Sequence, residues 1–163
     1  MSFDTPAGTR GARTSSGPIS RWVGQWMGQW MSRQHRRKGG KFMGMDVLFL
    51  TTIGRKTGQR RETPVSWFPD GDDAWLIVAS GGGSAHNPAW YHNIAAHPGQ
   101  LWIELPQRKL NKLQVMAEQL EGARREECWK RIIRAQPRYA KYQVKTDRTL
   151  PVIRLVPAST QPS

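Results

Sequence analysis

The sequence predicts an α+β fold built on a small antiparallel β-barrel. Short runs of apolar and β-branched residues recur along the chain, Gly- and Pro-containing turns separate them, and amphipathic segments are inserted between them. Because most of the runs are joined by short, hairpin-like turns, the strands should pair antiparallel. A chain of 163 residues suits one domain with a substantial core, so we expect a single barrel with flanking helices.

The N-terminal region differs in composition from the rest of the chain. Residues 1–18 are rich in Gly, Ser, Thr, Pro and Arg, which predicts a disordered basic tail. Residues 19–44 combine an amphipathic helix with a basic loop, and the helix carries one apolar stripe: Ile19, Trp22, Val23, Trp26, Met27, Trp30 and Met31. Two interpretations of the stripe remain open. It packs on the domain or a partner subunit, or it lies in the interface of an anionic membrane.

A strongly basic hairpin follows. Val47–Ile53 and Thr63–Phe68 have the composition of strands, and Gly54 and Gly58 provide the backbone freedom that the turn between them requires. Four cations at this density repel one another, which favours an anionic ligand at the hairpin tip: Arg55, Lys56, Arg60 and Arg61. An ordinary solvated turn is the alternative.

The later elements complete the barrel. A turn at residues 69–73 leads into a third strand, Ala74–Ser80, so that the first three strands should form a meander. The glycines at 81–83 form a loop without steric limits, and Asn87 is placed to cap a helix. We expect the core domain to span residues 45–157 and a tail to follow at 158–163. The rest of the domain comprises a helix at 88–97, strands at 100–105 and 111–116, and a helix at 121–135. A helical turn with Tyr139 and Tyr142 and a closing strand at 151–156 complete it.

Charge and cysteine content narrow the partners and the compartment. Twenty-five Lys and Arg against 12 Asp and Glu give a net charge of +13, which favours nucleic acid, membrane headgroups or a phosphorylated small molecule. The lone cysteine, Cys128, excludes an internal disulfide, fits a reducing compartment and is expected in the core. The chain has neither an apolar run long enough to span a bilayer nor a signal-like N-terminus. We therefore expect a cytoplasmic protein, with peripheral attachment to the inner face of the cell membrane through residues 19–44 left open.

Several functional classes lack their motifs. The chain has no G-x-x-x-x-G-K-[ST] loop, no G-x-G-x-x-G opening a helix and no G-x-S-x-G elbow. His86, His92 and His97 have no Asp, Glu or Cys close to them in sequence, so we expect no metal site. Nucleic-acid binding is a rival interpretation, but most aromatic residues occupy periodic, core-like positions and we expect no nucleic-acid partner.

Three features favour a phosphorylated small molecule with a flat ring. The basic hairpin can hold anionic groups, and the Gly-rich loop with the helix that follows it can offer backbone N–H groups to a phosphate. Tyr139 and Tyr142 share one face of a helical turn and can wall off a ring.

Four ordered motifs extend from about Asp46 to Pro157: T-T-I-G-R-K-T-G-x-x-R-x-T-P, V-A-S-G-G, N-P-x-W-Y-x-N, and P-x-Y-x-x-Y with T-D-R-x-[IL]-P. In this order they resemble the deazaflavin-dependent nitroreductase and quinone reductase family. The resemblance implies a split β-barrel related to flavin-binding oxidoreductases. It also implies the cofactor coenzyme F420, an 8-hydroxy-5-deazaflavin with a phosphate and an oligoglutamate tail. Such a polyanion would account for the basic hairpin.

The same resemblance implies a set of cofactor contacts by motif position. The phosphate and the tail would be held by Arg55, Lys56, Thr57 and Arg61, with Arg60 in a lesser role. The deazaflavin ring would be bordered by three groups of residues: Thr63, Pro64, Val65 and Ser66; Val78, Ala79, Ser80 and Gly81; and Ala89, Trp90, Tyr91 and Asn93. Tyr139 is also placed among the cofactor contacts.

The implied reaction is hydride transfer from reduced F420 to a quinone, a nitroaromatic compound or an enone. Ser80, Tyr139 and Tyr142 are the candidates for the catalytic polar contact with this acceptor. Gly81 stands where the nitroreductase pattern has Lys, and Gln136 where it has the first Tyr of a Y-P-x-Y-x-x-Y cluster, so the prediction covers quinones rather than bulky nitroimidazoles. The alternatives are a non-catalytic carrier of the cofactor and a basic module that binds nucleic acid or membrane.

Overall fold

A computed structural model describes residues 3–11, 41–42, 45–106 and 110–158 of the chain. The helix predicted from residue 19 and most of its basic loop lie outside these residues. Within the described part of the chain, no helix is long and apolar enough to cross a membrane.

One antiparallel sheet organises the fold. The described residues form eight strands: β1 (Lys41–Phe42), β2 (Met45–Ile53), β3 (Arg60–Ser66), β4 (Phe68–Pro69), β5 (Trp75–Val78), β6 (Leu101–Leu105), β7 (Leu110–Gln119) and β8 (Val152–Pro157). Neighbours follow the order β1-β2-β6-β7-β8-β5-β4, and β3 pairs with β2 off this path. Every pairing is antiparallel, so the predicted α+β fold on an antiparallel barrel sheet is confirmed.

Three helices in the described residues flank the sheet: α1 (Ala89–Ala96), α2 (Gly122–Ala135) and α3 (Arg138–Lys145). They agree with the two helices and the helical turn expected from the amphipathic pattern. A 3-10 turn, Gly81–Gly83, lies between β5 and α1. Cys128 is buried on α2 beside Ile132, which confirms its predicted place in the core.

Strand β5 separates two hydrophobic cores. Its residues alternate between the two faces of the sheet, as the two-residue period of a strand requires. Trp75 and Ile77 pack into the barrel interior, whereas Leu76 and Val78 pack under α2 and α3. Both faces of β5 are therefore buried, one against the barrel interior and the other against α2 and α3.

The predicted three-stranded meander is wrong. β2 and β3 do form the hairpin, with Val47 opposite Ser66 and Ile53 opposite Arg60. β5 instead pairs with β4 on one side and with β8 on the other. The chain turns back after the two-residue strand β4 at Gly71, whose φ of 75° suits glycine, and this turn brings β5 onto β4.

Residues 3–11, which we call the N-terminal strap, make hydrogen bonds with the domain, although composition predicts a disordered tail there. The N–H of Gly8 donates to the carbonyl of Ala85 at 2.7 Å, and the N–H of Thr9 donates to the carboxylate of Asp147 at 2.8 Å. Phe3 packs edge-on against Tyr91, with ring centroids 6.0 Å apart. Composition predicted disorder because the strap has little apolar surface, yet polar groups elsewhere on the domain hold it.

Candidate functional site

The turn of the β2–β3 hairpin brings the predicted anion-binding residues together. Two backbone hydrogen bonds close the turn. The N–H of Gly54 donates to the carbonyl of Gln59 at 2.7 Å, and the N–H of Gly58 donates to the carbonyl of Gly54 at 2.9 Å. A Cβ on Gly54 would lie 2.6 Å from the Thr57 hydroxyl oxygen and 3.3 Å from the carbonyl oxygen of Gln59, so a larger residue there would have to displace the Thr57 side chain. Three predicted contacts are exposed on this turn: Arg55, Lys56 and Thr57.

Arg60 and Arg61 begin β3 and point in different directions. The Arg60 guanidinium lies over the Trp102 ring of β6, 5.2 Å from its centroid. The Nε of Arg61 lies 3.8 Å from where a Cβ on Gly54 would be, which places it against the turn. The alternation of side chains along a strand thus places Arg61 beside Gly54 of the turn and turns Arg60 towards β6.

Helix α1 braces this turn through Asn93. The buried Asn93 side chain donates to the Thr52 hydroxyl at 3.1 Å and accepts from the backbone N–H of Arg55 at 2.9 Å. Asn93 therefore fixes the start of the turn instead of facing solvent.

The surroundings of the turn are electropositive. Half-buried His92 lies one position before Asn93 on α1, and burial lowers its pKa, with the positive charge of Arg55 and the electrostatic interaction with His86 acting in the same direction. A second positive charge is disfavoured here unless an anion is present.

The predicted ring-contact residues lie at the ends of β3 and β5. Thr63, Pro64 and Ser66 are half-buried on β3, and Val65 is buried between them. Val78 and Ala79 are buried at the end of β5, whereas Ser80 is half-buried and Gly81 is exposed. Ser80 and Gly81 are thus the members of the β5 group that open towards solvent.

The start of α1 mixes exposed and core residues. Ala89 is exposed, but Trp90 and Tyr91 pack into the barrel core. The Tyr91 hydroxyl accepts from the N–H of Thr5 at 3.1 Å and donates to the Gln119 side chain at 2.7 Å. The polar end of Tyr91 is therefore engaged by the N-terminal strap and by β7.

The two predicted catalytic tyrosines lie together on α3. Tyr139 is buried, its ring centroid is 5.6 Å from those of Tyr142 and Phe68, and burial raises its pKa. A hydrogen bond between the side chains of Tyr139 and Ser66 acts against that shift and joins α3 to β3. Helix α3 also packs on the Gly81–Gly83 turn, which follows Ser80 directly.

Comparison with known proteins identifies the family of this chain. The model of the F420H(2)-dependent quinone reductase family matches residues 26–157. The chain belongs to this family. It is accordingly an oxidoreductase whose cofactor is coenzyme F420.

Individual relatives agree with the family assignment. The F420H(2)-dependent quinone reductase Rv1261c of Mycobacterium tuberculosis is 38% identical over 108 residues, which are 65% of this chain and 70% of that protein. The putative F420H(2)-dependent quinone reductase Rv3178 of the same organism is 32% identical over 111 residues, 68% of this chain and 89% of that protein.

Two solved structures share the fold of this chain. An F420-H2 dependent reductase, FDR-A, is 35% identical, with a TM-score of 0.58 over 67% of this chain and 92% of that one. A structure described as a domain-swapped dimer is 31% identical, with a TM-score of 0.59 over 82% of this chain and 98% of that one. The split β-barrel implied by the sequence motifs is thereby confirmed.

The described residues fit coenzyme F420. A phosphate and a chain of carboxylates require cations that water and ligand can reach, and Arg55 and Lys56 are exposed on a braced turn. Burial is the main cause of the lowered pKa of His92, and the positive charge of the nearby Arg55 adds to it. Among the described residues, no group of three or more His, Cys, Asp or Glu side chains is placed to hold a metal ion.

Sequence reasoning missed the role of Arg148. It lies in the T-D-R motif, is 2% exposed, and donates to the carbonyl of Ser80 at 2.8 Å and to the side-chain oxygen of Asn87 at 2.6 Å. The expectation that Asn87 caps α1 is therefore wrong, because its side chain bonds Arg148 and the carbonyl of Thr5 instead. The motif itself was the available signal, but it does not reveal which segment the arginine contacts.

Proposed function

We propose that this F420-dependent oxidoreductase transfers a hydride from reduced coenzyme F420 to a quinone, which also takes up a proton and becomes a hydroquinone. The observation that carries the proposal is the braced cationic turn, which lies on the same barrel as the open Ser80–Gly81 segment. Nitroaromatic compounds and activated enones of modest size are proposed as further acceptors. Gly81 and Gln136 distinguish this pocket from the nitroreductase pattern, so bulky nitroimidazoles are expected to be poor acceptors.

The hairpin turn is proposed to hold the anionic part of the cofactor. Arg55, Lys56 and Arg61 would bind the phosphate and the carboxylates, since guanidinium groups match both geometries and a lysine adds a point charge. Thr57 would add its backbone or hydroxyl groups at the same turn. Arg60 would contribute mainly through long-range attraction, because its side chain lies on Trp102.

The ring is proposed to lie between β3, the end of β5 and the start of α1. From β3 it would meet Thr63, Pro64, Val65 and Ser66, and from β5 it would meet Val78, Ala79, Ser80 and Gly81. Ala89 would contact it at the start of α1. The buried residues Trp90, Tyr91 and Asn93 would support this wall from the core side.

Ser80, Tyr139 and Tyr142 are proposed to orient the acceptor. Reduced F420 bound in this place supplies the hydride. The serine and tyrosine hydroxyls would hold the acceptor's oxygen and favour the negative charge that develops on it, with the proton taken from water. Tyr139 is proposed to act from its bond with Ser66, where it can also touch the edge of the cofactor.

A titration with oxidised F420 tests the proposed anion site. Replacing Arg55 and Lys56 together by Ala should raise the dissociation constant at least roughly tenfold, with a smaller difference in high salt. The control is Lys130→Ala with Arg134→Ala, which removes the same charge from exposed positions on α2 and should leave affinity nearly unchanged. Equal affinities of the two double variants would reject the site.

Turnover tests the reaction itself. F420H2 should be oxidised with concomitant reduction of a soluble quinone, and Ser80→Ala or Tyr142→Phe should lower kcat/KM for the quinone more than they change F420 affinity. Tight cofactor binding without turnover of any quinone would instead support the non-catalytic carrier.

A further inference from the structure

Arg148 is a buried cation at the centre of the segment that follows β5. We call residues 79–87 the ring-side loop. Within the described structure, the Arg148 guanidinium donates four hydrogen bonds to neutral oxygens of this loop: the carbonyls of Ala79 (2.9 Å), Ser80 (2.8 Å) and Ser84 (3.1 Å), and Oδ1 of Asn87 (2.6 Å). Burying a charge is costly unless its donors are satisfied, and these four bonds supply that compensation.

The ring-side loop needs such support because its own backbone is permissive. Gly81, Gly82 and Gly83 all have positive φ, at 54°, 65° and 88°. Glycine loses more backbone entropy on ordering than any other residue, so a three-glycine turn is not held in one shape by its own preferences. A planar guanidinium that binds carbonyls on both sides of the turn fixes its ends.

Asp147, the residue before Arg148, is exposed and binds the N-terminal strap. Oδ1 of Asp147 accepts from the N–H of Thr9 at 2.8 Å and from that of Arg10 at 3.0 Å, and the Thr9 hydroxyl donates to Oδ2. These bonds lower the pKa of Asp147 to about 2, so its carboxylate is charged at neutral pH.

The strap also touches the ring-side loop directly. The N–H of Gly8 donates to the carbonyl of Ala85 at 2.7 Å, and Nδ2 of Asn87 donates to the carbonyl of Thr5 at 2.9 Å. Asn87 thus binds Arg148 with its oxygen and the strap with its nitrogen. A Cβ on Gly11 would collide with the backbone nitrogen of Ala85, so the strap lies flat on the loop.

The backbone between the two contacts is itself anchored. The buried Thr146 hydroxyl accepts from the N–H of Arg148 at 3.1 Å. The side chain of Gln143, on α3, donates to the carbonyl of Arg148 at 2.7 Å and accepts from the N–H of Leu150 at 3.0 Å. Asp147 and Arg148 therefore lie on a segment that these hydrogen bonds hold in place.

We propose that Arg148 is a positioning residue for the ring-side loop and that Asp147 couples this loop to the N-terminal strap, so that docking of residues 3–11 sets the shape of the ring site. The link to the cofactor rests on the proposed function, which assigns Ser80 and Gly81 to the ring. The coupling between strap and loop is a property of the cofactor-free chain.

Hydrogen exchange of the full-length, cofactor-free protein tests the coupling. Asp147→Ala should release the strap and speed exchange of amides at 8–10 and at 79–87 by roughly tenfold, while amides of β5 and β8 keep their protection. Asp147→Asn retains an acceptor oxygen and should restore most of the protection. Gly11→Val provides an independent route to the same release, through its collision with Ala85. Asp72→Ala, at an exposed turn, is the control and should change neither segment.

Two exchange results would overturn the coupling. Release of residues 8–10 without faster exchange at 79–87 would show that the strap does not set the loop. A uniform increase that includes β5 and β8 would show that Asp147 acts only on global stability. Arg148→Lys keeps the charge but loses the planar fork, so it should loosen residues 79–87 while leaving the strap less affected.

Cofactor affinity then separates this proposal from the proposed function. Asp147→Ala should raise the F420 dissociation constant several-fold and raise KM for F420H2 more than it lowers kcat. An unchanged dissociation constant in a variant with a loosened loop would overturn the positioning role. If the parent protein fails to bind F420 at all, the proposed function fails, whereas the exchange results still decide whether strap and loop are coupled.

Discussion

The side-chain oxygen of Asn93 accepts a hydrogen bond from the backbone N–H of Arg55 at 2.9 Å, which joins helix α1 to the basic hairpin turn. The same side chain donates to the buried Thr52 hydroxyl. The Asn93 amide therefore gives the buried Thr52 hydroxyl a hydrogen-bond partner and fixes the backbone at Arg55, the first cation of the turn. The proposed anion site is thus braced from inside the domain, through the backbone from which Arg55 projects.

Replacing Asn93 by Ala should impair both folding stability and cofactor binding. Leaving the Thr52 hydroxyl and the Arg55 N–H without this partner should lower the free energy of unfolding by about 1–3 kcal/mol. A less ordered turn should also raise the F420 dissociation constant roughly fivefold, equivalent to about 1 kcal/mol. Denaturant unfolding and fluorescence titration measure the two effects. Gln100→Ala, an exposed change beyond the same helix, is the control, and a dissociation constant that matches it would refute the brace.

Arg60 and Arg61 should differ in their importance for cofactor binding. Arg61 lies against the turn, and its replacement by Ala should raise the F420 dissociation constant at least roughly tenfold, as expected for loss of a charge-assisted contact. Arg60 lies on Trp102, so Arg60→Ala should change the constant by no more than about threefold through long-range attraction. Titrations at matched ionic strength compare the two variants, which lose the same charge. A larger effect for Arg60 would contradict the assignment by strand alternation.

The hairpin was predictable because its determinants are local. Two β-branched runs and two glycines within a short segment specify both strands and their partner, and the β2–β3 pairing follows. The partner of β5 was not predictable in this way. Its apolar run specifies a strand buried on both faces, but pairing with β8 depends on residues far along the chain, which periodicity does not encode.

The candidate site likewise has some features that local sequence determines and others that depend on distant residues. Exposed cations on a turn can be inferred from composition, whereas the burial of Trp90 and Tyr91 depends on how α1 is rotated against the barrel. The strap was missed for the same reason. Thr9 meets Asp147 across 138 positions of sequence, and a segment with few apolar residues gives no local sign of such a partner.

Protonation of His92 should link pH to stability and to cofactor binding. Burial, the nearby charge of Arg55 and the electrostatic interaction with His86 lower its folded-state pKa, so the unfolded chain binds the proton more readily than the folded one. The cofactor-free protein should therefore lose stability as pH falls through the ordinary value of 6.5 towards the lower folded-state pKa. His92→Gln should reduce that loss, as measured by thermal unfolding between pH 8 and about 5.

Binding of the anionic cofactor should reverse the direction in which nearby charges shift the pKa of His92. An anion held by Arg55 favours the protonated imidazole and raises its pKa, so cofactor binding should take up a proton near neutral pH. F420 affinity should accordingly rise more steeply with falling pH in the parent protein than in His92→Gln. Calorimetry in buffers of different ionisation enthalpy measures the proton uptake directly. The same uptake in both proteins would show that the cofactor is not held near His92.

Gly83 offers a test of how the Ser80 loop meets the tyrosine helix. The sequence predicted a loop free of steric limits, but a Cβ on Gly83 would lie 2.8 Å from the carbonyl oxygen of Tyr142 and 3.0 Å from the Cβ of Lys145. Its φ of 88° is also unfavourable for any residue with a side chain. Gly83→Ala should therefore cost about 2–3 kcal/mol of unfolding free energy, because it combines backbone strain with a collision against helix α3.

Gly82→Ala is the matched control for this substitution within the same turn. Its φ of 65° lies in the left-handed region, but a Cβ there would meet no atom within 4 Å, so only about 1 kcal/mol of backbone strain is expected. Quinone turnover should fall further in Gly83→Ala than in Gly82→Ala, because only the former pushes the loop that follows Ser80 away from Tyr142. Equal losses of stability and turnover in the two variants would show that backbone conformation alone matters. A greater loss in Gly83→Ala would show that close packing of α3 on this loop is required for the acceptor site.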